Sequence, residues 1–208
     1  MTKIYFLILC FITFANAQDY KKDTIELHET ILYDKFKFKL KRVGPDTKTK
    51  TVQVGLNSDI NFKKDSLPKY IKQIAIPISA PNKEFTFQRI NFNFSYPLKV
   101  DSVIVKVDLF SDLDNRPDKT ILENPFNIVV KKGSQQDDIF TYDLRDYNIK
   151  HKGNFYIKVE LLTKLESPIY LSAALLAKCL YKTKDSDKWQ KTPLGITPAI
   201  NTDILIKR

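Results

Sequence analysis

Histidine and cysteine are scarce in this chain, and their scarcity narrows the chemistry available to it. The histidines are His28 and His151, and the cysteines are Cys10 and Cys179. Cys179 lies in a hydrophobic run, where we expect an inert buried thiol. The motifs GxSxG, HExxH and GxxxxGK[ST] do not occur. The sequence therefore predicts a non-enzymatic protein with no catalytic residue. A hydrolase using paired carboxylates is the catalytic alternative, but no pattern places such a pair.

Long hydrophobic runs are also rare, and the one that bears on location begins the chain. Residues 4–14 carry no charge, Lys3 precedes them, and Ala15-Asn16-Ala17 places small residues where signal peptidase reads. The run is shorter than the roughly 20 residues of a membrane-spanning helix. We expect residues 1–17 to be a cleaved signal peptide and the protein to be periplasmic, surface-bound or secreted. Lipidation at Cys10 is an alternative, which the bulky residue before it disfavours.

Cleavage would leave Cys179 as the remaining cysteine, so we expect no internal disulfide and a fold stabilised by its apolar core. The net charge of +10 raises nucleic acid as a partner, but export argues against it. An anionic or neutral polysaccharide or a surface protein fits an exported basic protein better. A lysine-rich surface that keeps the protein soluble is the simpler interpretation. No second segment predicts a transmembrane helix.

Alternation of apolar and polar residues is the main structural signal, and it predicts about ten β-strands. The segments that alternate are residues 35–41, 85–94 with a bend near Gln88-Arg89, 103–109 and 155–161. Turn signals separate them at intervals typical of a β-sandwich. Residues 169–181 are compatible with a short buried helix, but a buried strand with a bend is favoured. We expect an all-β, jelly-roll-like antiparallel sandwich in one domain over residues 31–208, preceded by an arm or edge strand over residues 18–30.

Two patterns suggest binding surfaces. The first is a lysine strip, Lys35, Lys37, Lys39 and Lys41, on the face opposite three apolar side chains of the same strand. Such a row could follow an anionic polymer, or it could protect an edge strand against aggregation. The second is an aromatic pair, Tyr181 and Trp189, which a hairpin over residues 181–189 would bring together. Exposed aromatic rings are platforms for sugars, whereas the alternative is that Trp189 caps the core.

An aspartate-rich turn suggests the one cofactor that the sequence supports, a calcium ion. Asp112, Asp114 and Asp118 follow Asp108 closely, and this spacing can present several oxygens to one Ca²⁺. The full EF-hand pattern is absent. Aspartate and asparagine also favour turns through bonds to the backbone, so a plain hairpin turn is the alternative.

Several short segments over about residues 70–192 form a recognisable series: Ile71 to Ile76, Ser102 to Phe110, the turn from Asp112 to Leu122, Tyr142 to Ile149, Gly153 to Glu160, and Tyr181 with Trp189. Together they resemble a domain of secreted Bacteroidota proteins known as carboxypeptidase-like regulatory-domain-containing proteins. The chain departs from the family at Asp114-Asn115-Arg116, which lacks a glycine, and at Lys158. The resemblance implies a jelly-roll-like sandwich and export, and no catalytic residue.

Bacteroidota also attach O-glycans at a short motif of aspartate, serine or threonine, and an apolar residue. Three segments resemble it, and Thr24 and Ser66 are the better candidates because they lie in predicted loops, whereas Ser102 begins a predicted strand. Taken together, the sequence predicts an exported binding, adhesive or structural module. A carbohydrate-binding or accessory protein of surface glycan uptake is the alternative.

Overall fold

The computed structural model describes residues 37–56, 59–60, 69–175, 178–183 and 186–208. Within these residues the chain forms sixteen strands and two three-residue 3₁₀-helices, η1 (Arg145–Tyr147) and η2 (Pro193–Gly195). The strands are β1 (Phe38–Val43), β2 (Gln53–Leu56), β3 (Asp59–Ile60), β4 (Lys69–Ile78), β5 (Glu84–Asn93), β6 (Ser102–Leu113), β7 (Arg116–Thr120), β8 (Phe126–Lys131), β9 (Ile139–Asp143), β10 (Lys150–Lys152), β11 (Phe155–Leu161), β12 (Ile169–Ala174), β13 (Leu180–Thr183), β14 (Ser186–Lys191), β15 (Thr197–Pro198) and β16 (Ile200–Lys207). The expected all-β fold is confirmed. Ten strands was too few, because strands of two to four residues leave no alternating pattern.

The strands pair antiparallel in three sheets. One sheet has five strands in the order β1-β16-β5-β10, with β9 also pairing with β5. A second has eight strands in the order β14-β13-β4-β11-β6-β7, with β3 beside β4 and β8 beside β6. The third is short and has the order β15-β12-β2. Because most neighbours in a sheet are distant in sequence, these pairings are set by the tertiary fold rather than by local turns.

The two large sheets face each other across one hydrophobic core, which makes the fold a β-sandwich. Phe87 of β5 and Phe155 of β11 meet edge to face across the interface, with ring centroids 4.9 Å apart. Phe85 contacts the same Phe155 ring at 5.9 Å. The described residues belong to a single compact unit. The predicted signal peptide and the predicted arm over residues 18–30 lie outside the described residues.

Burial follows the predicted faces where a strand has neighbours on both sides. Residues 103, 105, 107 and 109 of β6 are buried, as are 155, 157 and 159 of β11. In β1 the prediction fails, since Phe38 is half-buried and Leu40 is 52% exposed. The reason is that, among the described residues, β1 pairs only with β16 and so lies at the edge of its sheet. Phe36, which was expected to share that face, lies outside the described residues.

The predicted bend near Gln88-Arg89 is confirmed as a β-bulge within β5. Asp203 pairs with Arg89 and Ile204 pairs with Phe87, so Gln88 is the extra residue. An extra residue reverses the alternation, because side chains on a strand change face at every step. Phe87 before the bulge and Ile90 after it are therefore both buried in the core.

Residues 169–181 contain strands, as expected, and not a helix. Ile169–Ala174 forms β12 of the short sheet, and β13 begins at Leu180 in the eight-stranded sheet. The predicted bend is thus the passage of the chain from one sheet to another. Among the described residues, the structure contains no helix with the length and apolarity needed to cross a membrane.

Candidate functional site

A concave site, which we call the tyrosine cleft, lies between two segments that are distant in sequence. It has a volume of about 540 Å³, within the range of small-molecule sites. One wall is formed by residues 96–100, which follow β5, and the other by Leu165 and residues 167–170, which lead into β12. The lining residues are Tyr96, Pro97, Leu98, Lys99, Val100, Leu165, Ser167, Pro168, Ile169 and Tyr170.

Backbone pairing just beyond the end of β5 joins the two walls. Phe94 forms an antiparallel bridge with Leu171, and the N–H of Ser95 donates to the carbonyl oxygen of Tyr170 at 2.9 Å. Leu98 and Ile169 are buried below the cleft and anchor one wall each. The site is therefore built on paired backbone with apolar anchors, which holds its shape without a ligand.

Tyr170 points out of the fold because of its place in β12. Its neighbours Ile169 and Leu171 are buried, so the alternation of the strand directs the Tyr170 side chain outward. This ring is 40% exposed, a large value for an aromatic side chain.

Tyr96 is the more exposed of the two tyrosines, at 47%, and polar contacts orient it. Gln53 Nε2 donates a hydrogen bond of 3.2 Å to the Tyr96 hydroxyl. The Lys50 ammonium lies 5.9 Å from the centre of the Tyr96 ring and 3.5 Å from a carboxylate oxygen of Asp138. The ring is thus held by its surroundings while much of its surface stays open to a ligand.

The cleft combines apolar surfaces with a few polar groups. Its described lining consists of two tyrosines, two prolines and aliphatic side chains together with Lys99 and Ser167. Tyrosine rings offer apolar faces for a sugar ring, and their hydroxyls offer hydrogen bonds. Such a surface can hold a ligand that is partly apolar and partly polar.

A second depression of about 450 Å³ lies between residues 121–126 and residues 147–150. Here Tyr147, which is 51% exposed, packs against Phe126 with ring centroids 4.7 Å apart. The Tyr147 hydroxyl lies 3.0 Å from that of Tyr142. Burial and this hydroxyl neighbour raise the pKa of Tyr142 to about 12. The Tyr142 hydroxyl therefore stays neutral at physiological pH. Tyr147 is as exposed as the tyrosines of the cleft, but its ring packs on Phe126 instead of standing across a cleft from a second exposed tyrosine.

The two rings of the predicted aromatic pair, Tyr181 and Trp189, lie on opposite faces of the sheet and do not form one exposed platform. Tyr181 is only 9% exposed and lies in the main core, where its hydroxyl donates to Gln190 Oε1 at 3.0 Å. Trp189 is half-buried on the other face of the sheet, against Tyr156 and Leu180. The ammonium of Lys182 lies 4.8 Å from the centre of the Trp189 ring. The hairpin forms as expected, but its two rings face opposite sides, and Trp189 caps a small outer cluster.

The lysine strip lies on or next to an edge strand. Lys39 and Lys41 are exposed on β1, and Lys37 is exposed immediately before it. Lys35 lies outside the described residues. This position agrees with the alternative in which lysines protect an edge against aggregation. Binding of an anionic polymer along the strip stays a prediction.

The aspartate-rich turn is a two-residue hairpin between β6 and β7. Asp114 and Asn115 have φ values of 52° and 60°, and Leu113 pairs with Arg116 on either side of them. Aspartate and asparagine tolerate this left-handed backbone, which accounts for both residues without a metal. Asp108 is engaged elsewhere, 3.4 Å from Lys158 Nζ and bonded to Thr120 Oγ1 at 3.0 Å. Among the described residues no three His, Cys, Asp or Glu side chains group to hold a metal ion, and this includes Asp112, Asp114 and Asp118.

The remaining residues are the candidate glycosylation sites and Cys179. Thr24 and Ser66 lie outside the described residues, so their glycosylation stays a prediction. Ser102 is exposed at the start of β6. Cys179 is fully buried in the core, where burial raises the pKa of its thiol far above the ordinary value.

Sequence reasoning missed the two tyrosines of the cleft. The sequence contains a signal for Tyr170, because it stands between two apolar residues of a predicted strand and must face away from them. For Tyr96 the signal is weaker, since only the following proline marks it as part of a loop. Nothing local indicates that the two segments meet.

Comparison of the chain with protein-family models, with curated proteins and with solved structures finds no significant match. The class that the structure itself defines is an all-β antiparallel sandwich. The resemblance to the Bacteroidota family stays a prediction.

Proposed function

We propose that this protein is a non-enzymatic, exported binding module that holds a carbohydrate in the tyrosine cleft. The single observation behind the proposal is the pair of exposed rings, Tyr96 and Tyr170, on the two walls of a preformed cleft of about 540 Å³. A sugar ring packs well on an aromatic face, and two such faces on opposite walls can contact one ligand from both sides.

Two further features support a polar ligand of this kind. Lys99 and Ser167 line the cleft, and the Gln53 amide lies against the Tyr96 hydroxyl, so hydrogen-bond partners surround the apolar floor. Lys99 and the nearby Lys50 also favour a saccharide with acidic groups over a neutral one. Export would place the protein where polysaccharides occur, and it rests on residues 1–17 of the sequence.

The test is a screen of the purified protein against immobilised glycans, both acidic and neutral. Tyr96→Ala and Tyr170→Ala should each weaken binding at least about tenfold, because each removes the aromatic ring from one wall of the tyrosine cleft. A tenfold loss corresponds to about 1.4 kcal/mol of binding free energy. Tyr147→Ala is the matched control, since Tyr147 is equally exposed but lies at the second depression.

Equal loss of glycan binding in the Tyr147→Ala variant would transfer the site to the second depression. Unchanged binding in both cleft variants would overturn the proposal. Thermal unfolding of all three variants should differ little from the parent, since surface substitutions cost about 0.5 kcal/mol or less.

A further inference from the structure

A second feature of the sandwich concerns the edge formed by β8. This strand pairs only with β6, so its other side is open among the described residues. The edge strand β1 has lysines along it, which discourage pairing with another chain. By contrast, β8 reads Phe-Asn-Ile-Val-Val-Lys, with no proline and with charge only at its last residue.

The hydrogen-bonding phase of β8 shows which backbone groups face the open side. The N–H of Lys132 donates to the carbonyl oxygen of Asp101 at 2.8 Å, and Val130 pairs with Val103 in the same register. Bonded and non-bonded pairs alternate along an antiparallel ladder. The N–H and C=O groups of Asn127 and Val129 and the N–H of Lys131 therefore point away from β6, and they have no partner among the described residues. The carbonyl oxygen of Lys131 is already bonded, because it accepts from the N–H of Ser134 at 3.1 Å and from Ser134 Oγ at 2.6 Å.

The same stretch presents an apolar surface beside the open backbone. Val129 is 48% exposed, and its cross-strand partner Ile104 is exposed as well. Leu162 extends the surface, because it is exposed and its N–H donates to the carbonyl oxygen of Ile104 at 2.9 Å. Unsatisfied strand edges next to exposed aliphatic side chains are the surfaces that pair with another strand.

We propose that two copies of this protein pair through β8, antiparallel and about a two-fold axis at Val129. In that register Val129 faces Val129 of the second copy, and Asn127 faces Lys131 on either side of it. Two hydrogen bonds then join the two Val129 residues, and the N–H of each Lys131 donates to the carbonyl oxygen of the facing Asn127, which gives about four backbone hydrogen bonds. The exposed aliphatic side chains of both copies come together on one face of a continuous sheet.

A second copy fits this edge better than an unrelated strand, because the edge is complementary to itself. No charged residue faces another, since each Lys131 lies opposite an asparagine amide. The two Lys131 residues stand about four residues apart along the strand, roughly 13 Å, which exceeds the screening length of about 8 Å at physiological salt. The net charge of +10 opposes association at long range, so salt should strengthen the dimer.

The test is sedimentation equilibrium of the purified protein over a concentration series, at low and at physiological salt. We expect a monomer–dimer equilibrium whose dissociation constant falls as salt is added. Val129→Lys puts two like charges on the axis, and Val129→Pro removes the outward N–H that would bond to Val129 of the second copy. Each variant should raise the dissociation constant at least about tenfold.

Leu40→Lys is the matched control, since Leu40 is an equally exposed aliphatic residue on the other edge strand. The control should dimerise like the parent, and all variants should unfold at similar temperatures. A monomer at every accessible concentration would overturn the proposal, as would a dimer unaffected by both β8 variants. Loss of the dimer in Leu40→Lys alone would place the contact at β1 instead.

Discussion

The tyrosine cleft and the β13–β14 hairpin each bring two aromatic residues into neighbouring positions, but only the cleft leaves both rings open. Tyr96 and Tyr170 stand on opposite walls with 40% or more of their surface exposed. Tyr181 lies in the core, and Trp189 is half-buried on the reverse face of the sheet. Proximity of aromatic residues in sequence therefore says little about a binding surface, because the face of the sheet determines which ring meets solvent.

The cause of the difference is strand register. In the hairpin, Tyr181 pairs with Gln190 across the strands, so these two side chains share one face of the sheet. Trp189 precedes Gln190 on the same strand and therefore faces the opposite side. In the cleft the rings come from two segments joined by the bridge between Phe94 and Leu171. A loop on one wall and an outward strand position on the other both direct a ring toward the same space.

The largest expected effect comes from removing the buried member of the hairpin. Tyr181→Ala should lower the free energy of unfolding by about 3–5 kcal/mol, because it leaves a cavity in the core and Gln190 without its hydroxyl partner. Urea denaturation measures this change, with Tyr147→Ala as an exposed tyrosine control. A loss below about 1 kcal/mol would mean that Tyr181 is not a core residue.

A smaller effect is expected from removing one hydroxyl in the cleft. Tyr96→Phe keeps the ring but removes the hydroxyl, which accepts a hydrogen bond from Gln53 Nε2 and can donate one to the saccharide. One hydrogen bond to the ligand contributes about 0.5–1.5 kcal/mol, so saccharide affinity should fall by only about two- to tenfold, less than in Tyr96→Ala. Calorimetric titration of both variants separates ring packing from hydrogen bonding. If the phenylalanine variant loses as much affinity as the alanine variant, the ring faces are not the main contact.

The smallest effect concerns the cation above Trp189. Lys182→Met keeps the aliphatic stem and removes the ammonium from the ring, which should cost about 0.5–1 kcal/mol of stability. Trp189 is the one tryptophan of the chain, so its fluorescence reports the change directly. Saccharide affinity should stay unchanged. An altered affinity would connect the outer face of the hairpin to ligand binding after all.

Many strands of the fold could be predicted from the alternation of apolar and polar residues, and β6 and β11 show why. Both strands have neighbours on either side and pack one face into the core, so residues such as Val105 and Ile157 must be apolar. The bulge at Gln88 is also visible in the sequence, because the buried apolar positions are odd-numbered up to Phe87 and even-numbered from Ile90. Burial follows alternation less strictly on edge strands, and Leu40 is an example, since β1 has a neighbouring strand on one side only among the described residues.

The site could not be predicted in the same way. The walls of the cleft lie about seventy residues apart in sequence, and they meet only because a strand of the short sheet bridges the end of β5. The aspartate-rich turn shows the converse: Asp114 and Asn115 are explained by a left-handed hairpin turn, a local need that composition alone cannot distinguish from metal binding. The sequence suggested this turn as a metal site, whereas the backbone conformation of the turn is sufficient to explain Asp114 and Asn115.

The most direct test of the account is an amide chemical-shift map of the protein titrated with a saccharide from the glycan screen. If the saccharide binds in the tyrosine cleft, the perturbed amides should cluster in residues 95–100 and 165–170, together with Gln53 and its neighbours. Perturbations centred on residues 180–191 would contradict it and restore the Tyr181–Trp189 hairpin as the binding surface.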